Sequence, residues 1–108
     1  MTVKEFIEKY ELQVLSLPDP DREIKGCYIG DLLSWVMGRA QADNVWITIM
    51  SNINIAAVAA LADVSVVVLA EDVTPDENVI QTAQAKNVNI VRSALPAFET
   101  AVKISCDI

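Results

Sequence analysis

The amino-acid sequence predicts an α/β domain, a three-layer unit in which helices flank a mainly parallel sheet of about four to five strands. Three observations lead there. The runs Val45 to Met50 (VWITIM) and Val64 to Ala70 (VSVVVLA) are near-continuous in apolar and β-branched residues, the pattern of strands buried on both faces. Segments of helical length separate and follow them, so that the order from residue 45 onward is βαβαβα. Strands of this kind joined by helices form parallel sheets with right-handed crossovers.

Each element has its own signal. Residues 2 to 9 place Val3, Phe6, Ile7 and Tyr10 on one side of a helix, so residues 1 to 11 form an N-terminal helical extension, and Leu12 to Leu17 alternate as a short strand. Pro18-Asp19-Pro20-Asp21 then turns the chain, because each proline lacks a donor and restricts the residue before it. Gly26 to Gly30 is a brief extended piece. Apolar residues at 32, 33, 36 and 37 predict an amphipathic helix over 31 to 38, with Asp31 at its positive end. Beyond the first strong strand, Ile53 to Leu61 reads as an Ala-rich helix, Pro75 to Asn87 as a helix, Val88 to Val91 as a strand and Pro96 to Ser105 as a final helix.

Composition narrows the function. At 108 residues the chain is expected to be one domain, and its core needs neither disulfide nor metal. The hydrophobic fraction is 53% and mean hydropathy is +0.35, yet no apolar run approaches the roughly 20 residues of a membrane span. The N-terminus has no apolar signal core, which makes the cytoplasm the expected compartment. A net charge of -7, with eight scattered Lys and Arg, argues against nucleic acid. Cys27 and Cys106 fit neither a redox pair nor a zinc pattern and read as reduced thiols. The absence of histidine removes Ser-His-Asp and Cys-His chemistry and most zinc catalysis.

In parallel sheets ligands sit beyond the carboxyl ends of the strands, which selects three loops: Ser51 to Asn54, Glu71 to Thr74 and Arg92 to Leu95. Ser51, Asn52 and Asn54 either cap a helix or, with its free amides, bind a polar group. Glu71 and Asp72 are either solvated carboxylates or oxygen ligands for a cation such as Mg²⁺. Thr74-Pro75-Asp76-Glu77 has the spacing of a capping box. With glycine only at 26, 30 and 38, no phosphate-gripping glycine loop is present, and neither a cofactor nor a resident metal is expected.

The segments GDLLSWVM (30 to 37), VWITIMSNINIAAVAAL (45 to 61), the Pro75-Asp76 helix start and the ending LPAFETA resemble the small stand-alone DRTGG domains, a likeness that covers about residues 12 to 105. Similar domains occur in the middle of some phosphotransacetylases, beside CBS domains in nucleotide-regulated pyrophosphatases and, in fold, as the N-terminal domain of HPr kinase. The signatures that name the family are missing. Ser51-Asn52 stand near the place of its Asp-Arg pair, and Ala70-Glu71-Asp72 at the place of its Thr-Gly-Gly. Losing that arginine argues against a polyphosphate ligand.

The resemblance implies a regulatory or protein-interaction module and not a catalyst, accessory to a redox enzyme of anaerobic metabolism such as an iron hydrogenase. The alternative is a small enzyme acting on a phosphorylated or acyl substrate through Glu71, Asp72 and Mg²⁺, with Ser51 as a hydroxyl. Helix 53 to 61 is apolar almost all round, which predicts a two-fold homodimer through Ile53, Ala56, Ala57 and Ala60, joined by Trp35 of the neighbouring helix. The expected binding residues are Ser51, Asn52, Asn54, Glu71 and Asp72, at the carboxyl edge of the sheet.

Overall fold

The computed structural model describes residues 1–108. The helices are α1 (Val3–Tyr10), α2 (Leu33–Arg39), α3 (Asn54–Ala62), α4 (Glu77–Ala85) and α5 (Ala97–Ile104), followed by a 3₁₀ turn at Ser105–Asp107. The strands are β1 (Gln13–Ser16), β2 (Cys27–Ile29), β3 (Val45–Thr48), β4 (Val66–Leu69) and β5 (Ile90–Arg92), in one sheet of order β1-β5-β4-β3-β2. Strands β2 to β5 are parallel, and β1 joins β5 antiparallel.

Because β2, β3, β4 and β5 follow one another across the sheet, their right-handed crossovers put α2, α3 and α4 on the same face. The sequence alternation supplies that face with Trp46, Val67, Leu69 and Ile90, which pack under Val36, Ile55, Ala59, Val79 and Ala83. Val45, Ile47, Val66, Val68 and Val91 point the other way, onto Val3, Phe6 and Ile7 of α1 and Ile104 of α5. Every residue of β3 and β4 is buried, as strands covered on both faces require. No helix is long and apolar enough to cross a membrane.

Local chemistry fixes the ends. At α1 the Thr2 hydroxyl accepts from the Glu5 amide at 3.2 Å while the Glu5 carboxylate accepts from the Thr2 amide at 2.9 Å, a complete capping box. Those bonds hold the Glu5 carboxyl below its ordinary range. Near this end, Asn89 is buried and donates to the carbonyls of Asp19 (2.7 Å) and Ser65 (2.9 Å) while accepting from the Asp19 amide (3.0 Å). It pins the proline turn beneath the sheet. Arg22 is held beside it by Asp43 and Asp63 at 3.0 and 2.8 Å; burial opposes its charge, and the two carboxylates outweigh burial and raise its pKa.

Three expected boundaries move. Helix α2 begins at Leu33 with no side-chain cap, and Asp31 instead accepts from the Thr48 hydroxyl (2.8 Å) and the Ile49 amide (3.0 Å). Helix α4 begins at Glu77, and the expected capping box at Thr74 does not form, because the Thr74 hydroxyl accepts from Arg92 instead. Strand β5 starts two residues later and ends one residue later than expected, with Val88 and Asn89 forming the approach to it.

Candidate functional site

The carboxyl edge of the sheet is built from the loops after β3, β4 and β5. After β3, the Thr48 hydroxyl accepts from the Met50 amide at 3.2 Å, the Asn52 carboxamide from the Asn54 amide at 2.9 Å and the Asn52 carbonyl from the Ile55 amide at 3.2 Å. Asn52 therefore performs the capping role for α3, one residue before the formal helix boundary. Ser51 is half-buried and Asn54 is exposed, and neither side chain has a hydrogen-bond partner within the chain.

After β4, Glu71 and Asp72 adopt left-handed backbone, with φ of 62° and 57°. Their amides donate to the carbonyls of Leu95 and Ser93, both at 2.9 Å. These N–H groups stitch two loops together and are not free to receive an anion. Both carboxylates face solvent; Asp72 lies 3.3 Å from Nε of Arg92, and no group of three His, Cys, Asp or Glu side chains is placed to hold a metal ion.

Topology changes hands between these two loops. The chain leaves β4 for α4 on one face and leaves β5 for α5 on the other, so the carboxyl ends of β4 and β5 form a switch point, the usual place of ligands in open parallel sheets. A cavity of about 260 Å³ opens beside the β5 end alone, lined by Tyr10, Glu11, Arg92, Ser93, Thr100 and Lys103 among ten residues, none of them from the loop after β4. None of Ser51, Asn52, Asn54, Glu71 or Asp72 lines it.

Arg92 sets the polarity on its β5 side. Nε and Nη2 donate to Gln13 Oε1, Nη1 donates to Thr74, and Asp72 balances the charge. Lys103 has no ion-pair partner within the chain, and neither has Glu11 in the same lining, so one cation and one carboxylate are open to a ligand. At the floor the hydroxyls of Ser93 and Thr100 lie 2.9 Å apart and buried, Ser93 also accepting from the Leu95 amide at 3.2 Å. On the α1 side the buried Tyr10 hydroxyl donates to Asp107. Burial, then that carboxylate, push its pKa up to about 12, so it stays protonated at neutral pH. Lys9, at 2.7 Å, and Tyr10 in turn hold the Asp107 carboxyl below its ordinary range.

The interface residues expected from sequence divide. Ile53, Ala60 and Trp35 are exposed and Ala57 is half-buried. Ala56 is fully buried beneath α3, because it faces the sheet, and it is unavailable to a partner. The cavity residues Lys103, Ser93 and Thr100 carried no motif; the only signal for them was the strand-end loop Arg92 to Leu95.

No protein-family model matches the chain, and no curated protein matches it in sequence. In fold it is similar to the crystal structure of the CBS and DRTGG domains of the regulatory region of Clostridium perfringens pyrophosphatase, complexed with its activator diadenosine tetraphosphate. The two share 11% identity at a TM-score of 0.71, over 94% of this chain and 44% of that one. This chain thus spans less than half the length of its structural neighbour, and its fold is DRTGG-like.

Proposed function

We propose that the chain is a non-catalytic regulatory or protein-interaction module that takes a small polar ligand at the carboxyl edge of its sheet and works as a cytoplasmic homodimer. The observation that supports this reading is the cavity between the end of β5, α5 and the turn from α1 to β1, where Lys103 has no ion-pair partner. One open cation beside the Glu11 carboxylate suits a small polar ligand better than a polyphosphate. That the neighbouring structure is a regulatory region complexed with an activator supports the regulatory part.

Calorimetry and thermal shift with nucleotides, acyl phosphates, simple carboxylates and divalent cations test it. A ligand at a hundred times its dissociation constant stabilises the fold by about 2.7 kcal/mol. Lys103→Ala should lose that stabilisation and Asn52→Ala should keep it. A shift from divalent cations alone, abolished by Glu71→Gln with Asp72→Asn, would favour the Mg²⁺-dependent enzyme instead. No shift from any compound refutes the ligand reading. The accessory role beside a redox enzyme is tested separately, by isolating the protein with its partners from the native cell.

A further inference from the structure

From residue 26 to residue 62 the chain carries only Asp31, Arg39 and Asp43 of its 15 acidic and 8 basic residues. Asp43 is paired with Arg22. The outer surface of α2 and α3 is therefore almost uncharged on a molecule whose net charge of -7 opposes self-association elsewhere. Leu32, Trp35, Met37, Ile49 and Ile53 are all exposed there, Leu32 at 58% and Trp35 at 52%. Single exposed apolar residues need no explanation, whereas a concentration of them marks an interaction surface.

The stripe along α2 reads the same from both ends. Leu32 at the N-cap, Trp35, Gly38 and Arg39 recur at helical spacing, with Asp31 just before the helix, a base at its end, a large residue at 32 and a glycine at 38. A Cβ built on Gly38 meets nothing within 4 Å, so there is open space above it. The Arg39 guanidinium stacks 3.7 Å over the Trp35 ring and makes no salt bridge within the chain. Asp31 uses Oδ1 for Thr48 and Ile49, and its second oxygen has no partner. Asp31 precedes the helix and Arg39 ends it, and the two charges do not pair with each other within the chain.

We infer that α2 packs antiparallel on α2 of a second copy, about a two-fold axis through Trp35. This names the surface for the homodimer proposed above and rests on that reading. A two-fold axis at residue 35 sets residue i against residue 70 − i of the partner chain. Asp31 then meets Arg39, Leu32 fills the space over Gly38, and the two tryptophans meet on the axis. An isologous contact demands this self-complementarity. The same palindrome of charge and size selects a second copy over an unrelated partner. Ile53 at the N-cap of α3 and Ala60 within it are exposed as well.

Light scattering and sedimentation at micromolar concentration test the arrangement on the full chain. The native protein should run at twice 11.8 kDa. Trp35→Glu sets two carboxylates on the axis, and Gly38→Leu obstructs Leu32, so each should halve the mass. Neither touches the core, and unchanged thermal melts would show the variants folded. Phe98→Glu, on the exposed side of α5, should leave the mass of the native protein unchanged. A native dimer that survives both Trp35→Glu and Gly38→Leu overturns the α2 seam while leaving the homodimer standing. A native monomer overturns both.

Discussion

Replacing Glu71 by glycine should stabilise the protein, and the size of the gain follows from the backbone. Glu71 and Asp72 hold φ of 62° and 57°, where an L-residue is disfavoured by roughly 1–2 kcal/mol and glycine is not. Glycine's greater freedom in the unfolded chain offsets about 0.5–1 kcal/mol of that relief. The Glu71 amide keeps its bond to Leu95, and the exposed side chain gives up no partner. A net gain of about 0.5–1 kcal/mol remains. Asp72→Gly differs, since aspartate tolerates this region better and its pairing with Arg92 is worth about 0–1 kcal/mol at an exposed site. That substitution should come out near zero. Glu71→Val is the opposite control, placing a β-branched side chain at the same φ, and should be destabilising. Urea denaturation with constant m gives all three values. A Glu71→Gly protein weaker than the native one by about 1 kcal/mol would refute the argument from strain.

Two further outcomes are expected. Asn52→Ala should lower stability by about 1 kcal/mol through loss of the cap on α3, whereas Ser51→Ala and Asn54→Ala should each stay within about 0.5 kcal/mol, all read from urea midpoints. Stability should also fall as the solution becomes alkaline. Burial raises the Cys27 thiol from 9.0 to about 11, and burial with Asp107 raises the Tyr10 hydroxyl from 10.0 to about 12. Both protonated forms favour the fold, so this contribution is complete below pH 9 and is lost between pH 9 and 12. Thermal melts across that range check the sign; a rise in midpoint would contradict it.

The architecture was legible because β3 and β4 are strands that only a covered sheet accommodates. The chain ends were less so. Thr2-Val3-Lys4-Glu5 forms a capping box, and the one expected at Thr74 does not form. The Thr74 hydroxyl goes to Arg92, a partner on another strand that no local pattern reveals. Helix α3 looked apolar all round, but composition does not say which alanine meets the sheet, and Ala56 does. The cavity was hidden for a similar reason. Tyr10 and Glu11 are brought beside Lys103 only when β1 pairs antiparallel with β5 and α5 crosses to the second face. Glu71 and Asp72 hold left-handed backbone without a glycine, a conformation that their residue types do not announce.

The ascending strand order has a consequence for how the molecule is assembled. One face is covered by crossovers within residues 27 to 92, each joining neighbours in sequence, whereas the other is covered by the two ends of the chain, α1 and α5. Closing that second layer brings residues 3–10 and 97–104 together across almost the whole polypeptide, and such long loops are the slow part of folding. During synthesis the inner surfaces of Val45, Ile47, Val66 and Val68 stay uncovered by α5 until residues 97–104 emerge. Met1 and Ile108 both rest against this late layer, so a reporter fused at either end would stand away from α2.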